Sequence, residues 1–141
     1  MRRGATLLEL ALCLVVLGLL LAISLPRLQE AADRLAVHQA ALDLVSAHRR
    51  ARIGAILQSR VLELTIDSMA LVIRQRGSTR EVWRAPGPAA THVSLPGPPR
   101  TMSFSPVGIT LGLSNASFSL SRGAATRTVI VSRLGRVRTV P

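Results

Sequence analysis

Side chains able to do chemistry are few in this 141-residue chain. Its three histidines, His38, His48 and His92, show no metal-ligand spacing. His38 and His48 stand ten positions apart, roughly 280° round a helix, so they face different ways and read as solvated or locally bonded residues. Cys13 is the lone cysteine and lies inside an apolar run, where it reads as a small apolar residue with no intramolecular disulfide partner. No Gly-x-Ser-x-Gly elbow, phosphate loop or cysteine cluster is present, and the few acids suggest no hydrolytic triad. The chain therefore reads as a non-enzyme with no cofactor and no metal. Two groupings remain: one carboxylate, Glu9, within an apolar N-terminus, and Gly135-Arg136-Val137-Arg138 near the C-terminus.

Glu9 is the only ionisable side chain, Cys13 apart, between Ala5 and Leu25. As a helix those 21 residues rise to roughly 31 Å, about the thickness of bilayer hydrocarbon, so the segment is long enough to cross a membrane. Arg2 and Arg3 precede it and hold the short N-terminal end cytoplasmic, which places the residues after Pro26 on the far side. A carboxylate one turn inside such a helix costs up to about 2.5–3.5 kcal/mol at mid-helix and less near the interface, and therefore calls for a partner.

The combination Gly4-Ala5-Thr6-Leu7-Leu8-Glu9 before an apolar run resembles the class III signal of type IV pilins and type II secretion pseudopilins. The resemblance implies cleavage by a prepilin peptidase between Gly4 and Ala5, N-methylation of Ala5, and pairing of Glu9 with the amine of a neighbouring subunit during assembly. Gly18 and Pro26 also stand where pilin-like helices often carry glycine and proline. Ala5 departs from the phenylalanine usual at that position. Two other fates fit the same stretch: processing by ordinary signal peptidase at Ala22-Ile23-Ser24, or an uncut anchor.

The elements that position these groups follow in order. Residues 27–58 continue the helix in amphipathic form, with Leu28, Ala32, Leu35, Leu42, Val45, Ile53 and Ile56 near heptad spacing as the stripe expected to pack on a domain. Pro26 is expected to kink rather than end it, because the helical pattern resumes at once. From Arg60 the period changes to two: Leu62, Leu64 and Ile66 alternate with polar residues, and Leu71 and Ile73 follow the Asp67-Ser68 turn, which predicts a hairpin. Arg80–Arg84 forms a further short strand held by Trp83. Residues 85–100 hold five of the eight prolines and read as loop, with at most a short strand over His92–Leu95. Strands then follow over Thr101–Ser105, Ile109–Leu113, Ala116–Leu120 and Thr126–Ser132. The fold class is α+β: a long N-terminal helix over residues 5–58, transmembrane over 5–25, packed against a domain over 60–141 of short antiparallel strands in one or two sheets.

All 18 basic residues are arginine against seven acids, for a net charge of +11. Glu81 is the last acid, so the 60 residues after it read as uncompensated positive charge that favours an anionic partner. The Arg-rich helix end, the Phe104-x-x-x-Gly108 segment and the closing Val-Ile-Val-Ser-Arg-Leu-Gly-Arg-Val-Arg resemble the GspH/FimT family of minor pseudopilins and minor pilins. That resemblance implies a structural subunit near the tip of a filament, anchored in the inner membrane with its C-terminal domain periplasmic or extracellular. Its partners would be other pilins through the N-terminal helix, the prepilin peptidase and the assembly platform. An ending of the Gly-Arg-x-Arg type is associated in some FimT-like minor pilins with DNA binding. Here Arg136 and Arg138 would project from one strand face, with Arg133, Arg127 and Arg122 alongside, and meet the phosphates of duplex DNA. Three aromatic residues, Trp83, Phe104 and Phe118, are too few for a stacking platform on single strands.

Overall fold

The computed structural model describes residues 6–112, 115–132 and 134–141. Gly4, Ala5, Arg133 and the end of the expected 109–113 strand lie outside those residues. The chain divides into two compact units, one ending at Ala32 and one spanning Asp33–Pro141.

Helix α1 spans Leu7–Leu57. Thr6 caps it: its hydroxyl accepts from the Glu9 amide at 3.2 Å and its carbonyl from Leu10 N at 3.1 Å. Ser or Thr at the cap position satisfies a donor that the first helical turn leaves orphaned, and an acid at Glu9 suits the positive end of the helix dipole. Pro26 lies inside the helix; two residues before it, Ser24 Oγ donates to Leu20 O at 2.8 Å. The side chains from Thr6 to Ala32 are solvent-exposed, including the run of leucines and valines, and this stretch has the length and composition to cross a membrane.

Within the second unit, the helix buries Val37, Ala40, Ala41, Leu44, Ala47, His48, Ala51 and Ala55. These recur at steps of three and four, the period of one helical face. Of the stripe expected from the sequence Val45 packs against the core, whereas Leu35, Leu42, Ile53 and Ile56 are 68%, 47%, 54% and 44% exposed. The heptad reading weighted the large side chains, whereas the sheets accept the helix on its alanines, whose short side chains let the backbones come close. The helix ends in a Schellman-type turn, with Arg60 N donating to Ala55 O, Ser59 N to Ile56 O, and Ser59 left-handed at φ 49°.

Eight strands follow in two antiparallel sheets. The larger has the order β3-β2-β1-β4-β5, built from β1 Leu62–Ile66, β2 Ala70–Gln75, β3 Glu81–Pro86, β4 Arg100–Phe104 and β5 Thr110–Leu111. The smaller has the order β6-β7-β8, from Ala116–Arg122, Ala125–Val131 and Val137–Val140. Strict alternation puts Leu62, Leu64 and Ile66, Met102 and Phe104, Phe118 and Leu120, and Val129 and Val131 into one core with the alanine face. Each large apolar side chain fully buried there contributes about 1.5–3 kcal/mol.

The proline-rich segment contains a 3-10 turn over Pro88–Thr91 rather than a strand over His92–Leu95. Only Ser94 bridges, to Ser121 of β6, and His92 is left-handed at φ 56°. Gly87 precedes the turn where the backbone touches the β1–β2 connection: a Cβ there would lie 2.6 Å from Ala70 N and 2.7 Å from Asp67 O. No side chain fits, so glycine is dictated by close approach.

Candidate functional site

Glu9 stands in the first turn of α1, where Thr6 holds its amide and its carboxylate is exposed. The cleavage pair Gly4-Ala5 lies outside the described residues.

At the other end of the chain, β8 is an edge strand paired only with β7. Its register sets Val131 against Val137, Ile130 against Arg138 and Val129 against Thr139. Val129 and Val131 are core residues, so Arg138 lies in the opposite row with Ile130 and Ser117, facing away from the core. Arg136 precedes the strand in a turn: Ser132 N donates to Arg136 O at 2.9 Å, Gly135 N to Ser132 O at 2.9 Å, and Arg136 N to Ser132 Oγ at 3.2 Å. Gly135 makes this turn at φ 73°, a conformation that glycine adopts without a Cβ penalty. Arg136 and Arg138 are exposed, and neither guanidinium has an ion pair among the described residues.

Arg122 and Arg127 do not join them. Both lie in the core-facing rows of the smaller sheet and turn toward the helix: Arg122 Nε pairs with Asp33 at 2.9 Å, and Arg127 Nη1 meets His38 Nδ1 at 2.8 Å. Arg122 also donates to Thr91 O at 2.8 Å. Arg84 is likewise taken. With Arg74 it grips Glu81, and these hydrogen bonds, Arg84 first, hold that carboxyl down to about 2. Reading the basic tail as uncompensated fails for Arg84 and Arg122, because linear order hides partners: Asp33 lies 89 positions before Arg122.

Two further residues carry more than their spacing shows. Arg52 Nε donates to Gly108 O at 2.8 Å, and Gly108 sits at φ 78°, where an added Cβ would come within 2.8 Å of Ile56 Cδ1. His48, read from the sequence as solvated or locally bonded, is 2% exposed, packs edge-on against Phe104 with ring centroids 5.0 Å apart, and has neither ring nitrogen hydrogen-bonded. Burial first, then the charges of Arg52 and Arg49, lowers its pKa from 6.5 to about 4. The core-facing alanines beside it were the available signal. Among the described residues no group of histidine, cysteine or acidic side chains is placed to hold a metal.

The family profile described as Type II transport protein GspH matches residues 40–135. A pilin-like protein of Thermus thermophilus, PilA1, is 34% identical over 154 aligned residues, covering 97% of each chain. Two crystal forms of the type IV minor pilin FimU of Pseudomonas aeruginosa share the fold. One has a TM-score of 0.64 at 19% identity over 77% of this chain and 90% of that one; the other has 0.59 at 18% over 74% and 92%. A capped apolar helix, an alanine face under two antiparallel sheets, and these likenesses together make the chain a member of the type IV pilin-like GspH/FimT family, with an apolar N-terminal stretch of α1 that suits membrane anchoring.

Proposed function

We propose that this protein is a minor pseudopilin, a structural subunit at or near the tip of a type II secretion pseudopilus, rather than an enzyme. The observation that carries the choice is the match of residues 40–135 to the type II transport profile. In this reading residues 1–4 are a leader removed by a prepilin peptidase, Ala5 becomes the methylated N-terminus, and residues 5–25 cross the inner membrane once. Residues 27–58 and the β-rich 60–141 lie in the periplasm or in the filament. Glu9 pairs with the N-terminal amine of a neighbour, which answers the cost of a carboxylate in that setting. The large apolar side chains left exposed on α1, Leu42, Ile53 and Ile56 among them, supply surface for other pilins. An assembly platform in the inner membrane would extract the subunit. Loss of the protein should abolish release of the organism's secreted enzymes while surface pili and DNA uptake persist. The opposite pattern would assign the subunit to a pilus.

A second reading rests on Arg136 and Arg138, which stay exposed while Arg74, Arg84, Arg122 and Arg127 are engaged. In it the protein is a FimT-like minor type IV pilin that binds duplex DNA for natural transformation, with Arg133 contributing to the same patch. Binding should be indifferent to sequence and weaken with salt. The slope of log K against log salt should fall by up to about 1.8 when Arg136→Ala and Arg138→Ala are combined, at about 0.9 per phosphate contact. Unchanged binding by that double variant in a gel-shift titration at low salt would remove the reading.

A further inference from the structure

The helix does not cover the whole inner face of the larger sheet. β3 is one of the two edge strands, and Ile73 faces Trp83 while Leu71 faces Ala85, so Trp83 and Ala85 belong to the row that turns toward α1. Between them and the helix a cleft of about 130 Å³ stays open, lined by Asp43, Ser46, Leu71, Trp83, Ala85 and Pro86. A smaller recess of about 40 Å³ adjoins it and shares Asp43, Leu71 and Pro86. Volume for several waters accommodates the end of one long side chain.

Asp43 is the charged group at this cleft; Ser46, the other polar side chain lining it, donates its hydroxyl to the Asp43 carbonyl at 2.9 Å. Among the described residues the Asp43 carboxylate accepts only a 3.3 Å bond from the amide of Gln39. The other acids of the second unit are engaged: Asp33 pairs with Arg122, Glu63 with Arg76, Glu81 with Arg74 and Arg84, and Asp67 accepts from Ser68 N at 2.7 Å. Among the described residues neither Asp43 nor Asp67 has an ion pair, and of the two Asp43 is the one at the open cleft, in a chain of net charge +11. The nearby guanidinium of Arg50 is held instead over the Trp83 ring, 5.1 Å from its centroid. The cleft thus offers one negative charge and an apolar wall of Leu71, Trp83, Ala85 and Pro86 for an aliphatic stem. These are the features that recognise arginine or lysine.

We propose that the cleft between α1 and β3 is a socket for an arginine or lysine side chain of a neighbouring subunit, with Asp43 holding the cation and Pro86 and Trp83 its stem. The proposal rests on the filament reading for its partner but not for its chemistry. β3 is unpaired on its outer side, so a neighbouring chain can approach along the edge and direct one side chain inward.

Trp83 is the only tryptophan of the chain and reports directly. The full-length protein in detergent micelles is titrated with N-acetylarginine amide and, separately, with the uncharged isostere N-acetylcitrulline amide, following Trp83 emission at constant ionic strength. Arginine amide should give a saturable change that citrulline amide does not, and Asp43→Asn should weaken it by about tenfold or more, as expected for loss of a charge-assisted contact. Gln39→Ala should leave the response in place. Equal responses to the two amides, or an Asp43→Asn response equal to wild type, overturns the socket. In cells, Asp43→Asn should lower incorporation into filaments with membrane anchoring intact. Binding of arginine amide by a protein that enters no filament keeps the socket and rejects the filament reading. Absence of binding in a protein that enters filaments does the reverse.

Discussion

His48 sits where the alanine face of α1 meets Phe104, and its imidazole is neutral there because protonation would bury a charge that no acid answers. The described buried polar side chains are only His48, Ser105 and Thr110, and the charges nearest to it, Arg52 and Arg49, repel an imidazolium. Its folded pKa of about 4 lies below the unfolded value of 6.5, so between those values the unfolded chain binds the proton and the folded chain does not. Stability from this group is fully present above about pH 6.5 and is lost as pH falls toward 4, by up to about 3 kcal/mol at about 1.4 kcal/mol per pKa unit. Urea unfolding at pH 7 and pH 4.5 should show that loss, and His48→Leu should remove most of it while leaving stability at pH 7 equal or higher, because two unsatisfied nitrogens disappear. An equal pH dependence in both proteins would mean that other groups carry it.

At the scale of elements, the contact between helix and sheets is governed by what the alanines leave out. Ala47, Ala51 and Ala55 are fully buried, and Gly54 is within 3.0 Å of Leu62 Cδ1 when a Cβ is built on it. Enlarging Ala51 to leucine should force the sheet away and cost about 1–3 kcal/mol, read as a lowered denaturation midpoint. Ile53→Leu, at a side chain 54% exposed, should stay within about 0.5 kcal/mol. If the two substitutions cost the same, the packed face has been assigned wrongly. Arg52 ties a second contact, since its bond to Gly108 O joins the helix to the β4–β5 turn, close to where Gly135 turns toward β8.

For the whole molecule, the anchor and the folded domain make separable demands. Glu9 lies in the first unit, bonded locally to Thr6, so Glu9→Leu should leave the domain's unfolding midpoint unchanged and insertion intact. Incorporation of that variant into filaments should fall sharply, and mass spectrometry of the mature protein should find Ala5 at the N-terminus, carrying one extra methyl. Normal incorporation of Glu9→Leu would leave the carboxylate only its place in the capped first turn.

The sequence by itself determined the apolar helix with its single acid, the switch from helical to alternating period near Arg60, and the hairpin turn at Asp67-Ser68. Each of these is a local matter of side-chain period or backbone freedom, legible within about ten residues. Only the tertiary structure decided which helical face is buried, because packing rewards fit to the sheet as well as side-chain size, and alanine wins where backbones must approach. It also decided which arginines are spent. Arg122 and Arg127 meet Asp33 and His38 across 89 positions, and Arg136 and Arg138 meet no acid among the described residues, an outcome of strand register that no spacing along the chain encodes.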